Sequence, residues 1–115
     1  MVDKKCLFCE IAGGNEPSKK VWENRDYLAI MNKYPVAPVH ILVMPKKHQE
    51  KANLRGSEAG GFWGKIMAAV FEVVKLKGLD KTGYKLVNNG AGYNHFEHEH
   101  IHVMGGSKEE PGGKT

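Results

Sequence analysis

The sequence predicts an α+β domain: a mostly antiparallel five-stranded sheet with one long helix and a short N-terminal helix. Three observations lead there. Five short stretches alternate or run apolar in the manner of strands, each bounded by turn residues. A single long helical stretch lies between the third and the fourth of them. The connections are short, which favours antiparallel neighbours over crossovers. A chain of 115 residues fits one domain with a core of its own.

Taken in order, Leu7 to Ala12 reads as the short helix, stopped by Gly13-Gly14. Lys19 to Glu23 and Tyr27 to Asn32 are the first two strands, joined by the turn residues Asn24-Arg25-Asp26. A loop with two prolines, Lys33 to Pro38, leads into a third strand from Val39 to Met44, ended by Pro45. Ser57 to Lys77 is the long helix. Ser57 suits its N-cap, Glu58 the positive end of its dipole, Lys75 and Lys77 the negative end, and Gly78 its stop. Phe62, Trp63, Ile66, Met67, Val70, Phe71, Val73 and Val74 cover more than the single stripe that packing on a sheet needs. A second buried surface, such as a dimer interface, or cover over loops would absorb the excess. Tyr84 to Asn88 and Glu97 to Met104 are the last strands, with the Gly/Asn loop Asn89 to Asn94 between them. One domain over residues 1–106 followed by a flexible tail, 107–115, rich in Gly, Lys and Glu, is the expected organisation.

Composition narrows the function classes. Nothing near Met1 has the apolar core of a signal peptide, and the apolar run around Ile66 to Val74 is too short to span a bilayer. A cytoplasmic protein with no membrane partner is expected. The net charge of +4 suits a phosphate-bearing ligand. The lysines are scattered, however, and no basic stripe interleaved with aromatics marks a nucleic-acid groove. Two cysteines do not make a disulfide framework.

The informative segment is His95-Phe96-Glu97-His98-Glu99-His100-Ile101-His102. Side chains alternate along a strand, so His98, His100 and His102 share a face, about 7 Å apart at successive positions. Three imidazoles are a poor core, because each brings two nitrogens that need partners. Two chemistries use such a row. Imidazole binds transition metals. A neutral imidazole is also a nucleophile near pH 7, beside which an imidazolium can offset phosphate charge.

His98-Glu99-His100-Ile101-His102-Val103-Met104 resembles the histidine triad motif, and Gly105-Gly106 follow it as in the Hint branch of that family. Asn32-Lys33-Tyr34-Pro35 and His40 to His48 resemble the family's second block, so the likeness runs from Cys6 to Gly106. The resemblance implies a HIT-like fold, commonly a homodimer. It also implies hydrolysis or transfer at the α-phosphate of a purine nucleotide or nucleotide conjugate, through a nucleotidyl-histidine. Carried onto this chain, His100 is the nucleophile, and His102 and His40 contact the phosphate. Asn32 stands where the family holds the ribose, and Asn88 resembles the polar residue that holds phosphate or ribose. Three departures stand out: Glu99 at a position usually apolar, His95 near a common Ser or Thr, and Asn94 near a common Gln. His95 either protonates the leaving group or is a surface histidine.

Cys6-Leu7-Phe8-Cys9 is a Cys-x-x-Cys: two buried thiols, a redox pair or half a zinc site by spacing alone. In bacterial relatives the matching pair binds zinc with two histidines, which are His48 and His98 here. Such a four-ligand site is closed and structural. The competing reading of the whole chain is a nucleotide- and zinc-binding interaction protein with little turnover.

Overall fold

The computed structural model describes residues 6–115. Five strands form one sheet in the order β1-β2-β3-β5-β4: β1 (Lys20–Glu23), β2 (Tyr27–Met31), β3 (Val39–Pro45), β4 (Tyr84–Val87) and β5 (Ile101–Gly105). All four neighbouring pairs are antiparallel. Three α-helices accompany them: α1 (Leu7–Ala12), α2 (Phe62–Leu76) and the single turn α3 (Leu79–Thr82).

β3 lies at the centre and is buried on both faces, so it is apolar at nearly every position rather than at alternate ones. Ile41 and Val43 turn to one side, where they meet the buried stripe of α2, Phe62, Ile66, Ala69, Val70, Val73 and Val74, together with Ile101 and Val103. Leu42 and Met44 turn to the other side and pack with Leu28, Ile30 and Phe8 of α1. The two helices therefore cover opposite faces. The histidines lie on the face that α1 covers only in part.

The structure moves several boundaries read from the sequence. The long helix starts at Phe62, not Ser57. Gly56–Ala59 forms a separate 3₁₀ turn, and Gly60 and Gly61 then take positive φ. Two left-handed residues in succession cannot continue a right-handed helix, so Gly61 rather than Ser57 stands at the N-cap, and no side chain caps it. The last strand starts at Ile101, not Glu97. Val43 opposite Ile101 is the last position that β3 shares with it, although β3 itself runs on to Pro45 against β2. Beyond that point Glu99 N–H donates instead to Gln49 O, at 2.8 Å.

Gly105, the last residue of β5, has no room for a side chain. A Cβ there would lie 2.8 Å from Gly83 O and 2.9 Å from a Leu79 methyl, so α3 and β5 approach each other only across a bare backbone. The tail returns toward β4, where Lys85 Nζ donates to Pro111 O and Gly113 O, both at 2.8 Å. Among the described residues no helix is long and apolar enough to cross a membrane.

Candidate active site and metal centre

Antiparallel register brings the first two site histidines together. His40 on β3 lies opposite Met104 and His102 on β5 lies opposite Leu42, so the two are diagonal neighbours on one face. Their rings are 5.1 Å apart, with His40 Nε2 2.8 Å from His102 Nδ1. Val36 N–H donates to His40 Nδ1 at 3.1 Å. Neutral His40 therefore carries its proton on Nε2 and donates it to His102 Nδ1. Asn32 sits beside this pair: its Nδ2 is 3.2 Å from His40 Nε2, and its Oδ1 accepts from Tyr34 N–H at 2.9 Å. Asn89, which the sequence reading passed over, brings its side-chain amide within 3.4 Å of His102 Nε2.

His100 follows the alternation although it precedes the paired part of β5. Its ring lies 5.1 Å from that of His102. Its Nδ1–H donates to His98 O at 2.9 Å, which leaves the Nε2 lone pair as its free nitrogen. Phe8 of α1 stands edge-on to it at 5.0 Å, and Phe96 lies 6.4 Å away. Burial favours the neutral ring throughout. It lowers the pKa of His40. It lowers that of His100 despite the opposing hydrogen bond to His98 O and the charge of Glu99. For His102, burial and then the neighbouring His100, His40 and His95 bring the pKa down to about 4. The result is a row of uncharged imidazoles whose nitrogens are oriented by backbone or by one another.

The remaining residues singled out from the sequence lie around this row. His95 is exposed, in the irregular segment before β5, near enough for its charge to bear on His100 and His102. Asn94 is half-buried; its N–H closes a turn onto Ala91 O at 3.1 Å, and its Oδ1 is buried with no hydrogen-bond partner among the described residues. Asn88 faces the strand itself: its Nδ2 donates to His100 O at 3.0 Å and to Glu99 Oε2 at 3.1 Å, while its Oδ1 accepts from Lys51. Lys51 gave no signal in the sequence, because its partner Glu99 is distant along the chain.

Cys6, Cys9, His48 and His98 converge beside the row, their ligand atoms all within 4.8 Å of one another. Cys6 Sγ and Cys9 Sγ are each 3.3 Å from His98 Nδ1, and Cys9 Sγ is 3.3 Å from His48 Nδ1. The local fold suits this. Cys6 caps α1, accepting from Cys9 N–H at 3.4 Å, so one helical turn returns both sulfurs to the same end. Each histidine directs Nδ1 inward and anchors Nε2 outside the cluster: His98 donates to Pro45 O at 2.7 Å, and His48 faces Glu50 Oε2 at 2.9 Å. Outer hydrogen bonds of this kind fix the tautomer of a ligating imidazole. Two thiols and two oriented imidazoles can hold a metal ion.

An antiparallel α+β domain with three clustered imidazoles beside a Cys₂His₂ group defines a narrow class of protein. The profile of the HIT domain matches residues 13–109, and the chain belongs to that family. It is 35% identical over 101 residues to protein HitA of Neisseria gonorrhoeae, a match that covers 87% of this chain and 94% of that one. A histidine triad protein from Clostridium difficile superposes with a TM-score of 0.85 at 39% identity, over 94% of this chain and 96% of that one. A HIT family hydrolase from Legionella pneumophila superposes at 0.82 and 34% identity, over 90% and 94% of the two chains.

Proposed function

We infer that this protein hydrolyses or transfers at the α-phosphate of a nucleotide conjugate, with His100 as nucleophile. One observation carries the reading: His100 Nδ1–H is committed to His98 O, so its Nε2 lone pair is fixed in direction and kept unprotonated by burial. Its likeness to a HIT family hydrolase supports the same class of reaction. In the first step Nε2 attacks phosphorus, the bond from phosphorus to the leaving group breaks, and the leaving group departs with that electron pair and takes up a proton. In the second, water attacks the same phosphorus, the phosphorus–nitrogen bond breaks, a nucleoside monophosphate leaves, and the water's proton is lost to the medium. His102 and His40, linked through Nδ1 and Nε2, lie beside the nucleophile to meet charge on the non-bridging oxygens. Asn32 takes the ribose. Cys6, Cys9, His48 and His98 hold structural zinc, a role that suits two thiolates and two anchored imidazoles and ties His98, the acceptor for His100, to the body of the domain.

Single-turnover kinetics on an adenylate with a good leaving group tests this. His100→Asn is expected to retain adenosine monophosphate binding and to lose turnover by several orders of magnitude, with no acid-labile nucleotidyl-enzyme trapped. His102→Asn, which removes charge stabilisation but not the nucleophile, is expected to fall by about 10²- to 10³-fold. A labelled adduct on His100→Asn, or a His102→Asn enzyme slower than His100→Asn, overturns the assignment.

A further inference from the structure

Glu99 is a fully buried acid on the side of the chain away from the histidines. Its Oε2 accepts from Lys51 Nζ and Asn88 Nδ2, while its Oε1 is buried without a hydrogen-bond partner among the described residues. A carboxylate taken out of water and only half satisfied is a weak stabilising device, and apolar residues in its place and that of Lys51 would serve the core as well or better. What the group does fix is direction. Lys51 donates to Asn88 Oδ1 and Glu99 accepts from Asn88 Nδ2, so the Asn88 amide has one orientation, the one that also donates to His100 O at 3.0 Å. Flipped, it would set oxygen against oxygen. Lys51 is held from the other side by Trp63 of α2, its ammonium 5.2 Å from the ring centroid. Glu99 N–H is tied to Gln49 O. These bonds grip residues 99–100, where the chain has left the sheet ladder, from the side opposite to the histidines and Phe8.

We propose that Lys51 and Glu99 are positioning residues for His100: by locking the Asn88 amide they hold the His100 backbone, and with it the imidazole, in register with the phosphate site. The kinetic consequence rests on His100 being the nucleophile; the geometric one does not. The double variant Lys51→Met/Glu99→Leu removes the charges together. It is expected to melt within a few degrees of the parent and to bind adenosine monophosphate within about threefold of it, while forming the nucleotidyl-enzyme roughly 10- to 100-fold more slowly. In ¹⁵N-labelled protein the His100 Nδ1–H resonance is expected to exchange with water faster than in the parent. Lys51→Gln, a change at a partly exposed side chain, is the second variant should the double one not fold, with a smaller slowing at the same nucleotide affinity expected. Lys51→Arg, which keeps a donor to both partners, is expected to recover most of the rate. Parental rate and parental Nδ1–H exchange in the variants overturn the proposal, as does a rate loss that merely follows lost stability or lost nucleotide binding. A parent enzyme that forms no adduct on His100 defeats the nucleophile reading alone, and the exchange measurement still decides the positioning.

Discussion

At the scale of single residues, burial keeps the clustered imidazoles uncharged. His102 is the sharpest case, with its pKa brought from 6.5 to about 4 by burial and by its histidine neighbours. An unfolded chain binds a proton there at higher pH than the folded one does. The stability that neutral His102 contributes is therefore complete above 6.5 and is lost as pH falls toward about 4. His40 adds in the same direction. Urea unfolding of the metal-loaded protein at a series of pH values is expected to show the midpoint falling across this interval, with a shallower fall in His102→Asn; parallel slopes would contradict the account. This part of the site was legible because strand alternation needs no tertiary information: the spacing of His98, His100 and His102 puts them on one side. The hydrogen bonds that Asn88 and Asn89 make within the chain were not legible, since nothing local distinguishes an amide that grips backbone from one that faces an imidazole.

At the scale of elements, α1 is the piece that most needs explaining. Six residues are too few for a helix to persist alone. It is held by Phe8, buried against Leu28, Ile30, Leu42 and Met44, and by its two cysteines in the four-ligand cluster. The same helix brings Phe8 to the edge of His100, so the four-ligand cluster and the histidine row share a support. Purified protein is expected to carry one zinc per chain by elemental analysis. Cys9→Ser is expected to lose it and to melt several degrees lower, because metal binding contributes to folding and roughly 1 kcal/mol moves the midpoint by about 4 °C in a domain of this size. Full zinc content in a Cys6→Ser/Cys9→Ser protein would refute the ligand set. The sequence revealed the helix and its cysteines but not Phe8, whose role follows from which face of the sheet α1 covers. Element ends were misread for related reasons. The break before Phe62 is made by the left-handed pair Gly60-Gly61, and β5 starts late because the chain before it bonds elsewhere, Glu99 N–H to Gln49 O, and not to β3.

At the scale of the molecule, the open sheet ends at β1 on one side and at β4 on the other. Among the described residues β4 pairs with β5 and with no other strand, so one edge of Tyr84–Val87 presents unpaired backbone groups there. Natural edges are commonly guarded by an outward lysine, but here Lys85 is spent on Glu110 and on two tail carbonyls, with a side chain only 14% exposed. Large apolar side chains also stand in solvent: Phe71 and Leu76 on α2 are 50% and 57% exposed, and Tyr84 on the edge strand is 41% exposed. Of the excess of apolar residues along the long helix, visible in the sequence, Trp63 and Met67 pack against the core, and Trp63 also meets the loop before the helix, donating to Leu54 O and facing Lys51; Phe71 stays in solvent. A two-fold copy applied at β4 would pair the edge with itself, antiparallel, and bring the same surface of each chain to the interface. We propose that the protein is such a homodimer. Sedimentation at micromolar concentration is expected to give twice the 12.8 kDa chain mass. Phe71→Glu/Leu76→Glu alters side chains that contribute little to the core of a single chain, so it is expected to yield folded monomer with unchanged zinc content. A parent protein that sediments as a monomer, or a double variant that remains dimeric, would place the interface elsewhere or remove it.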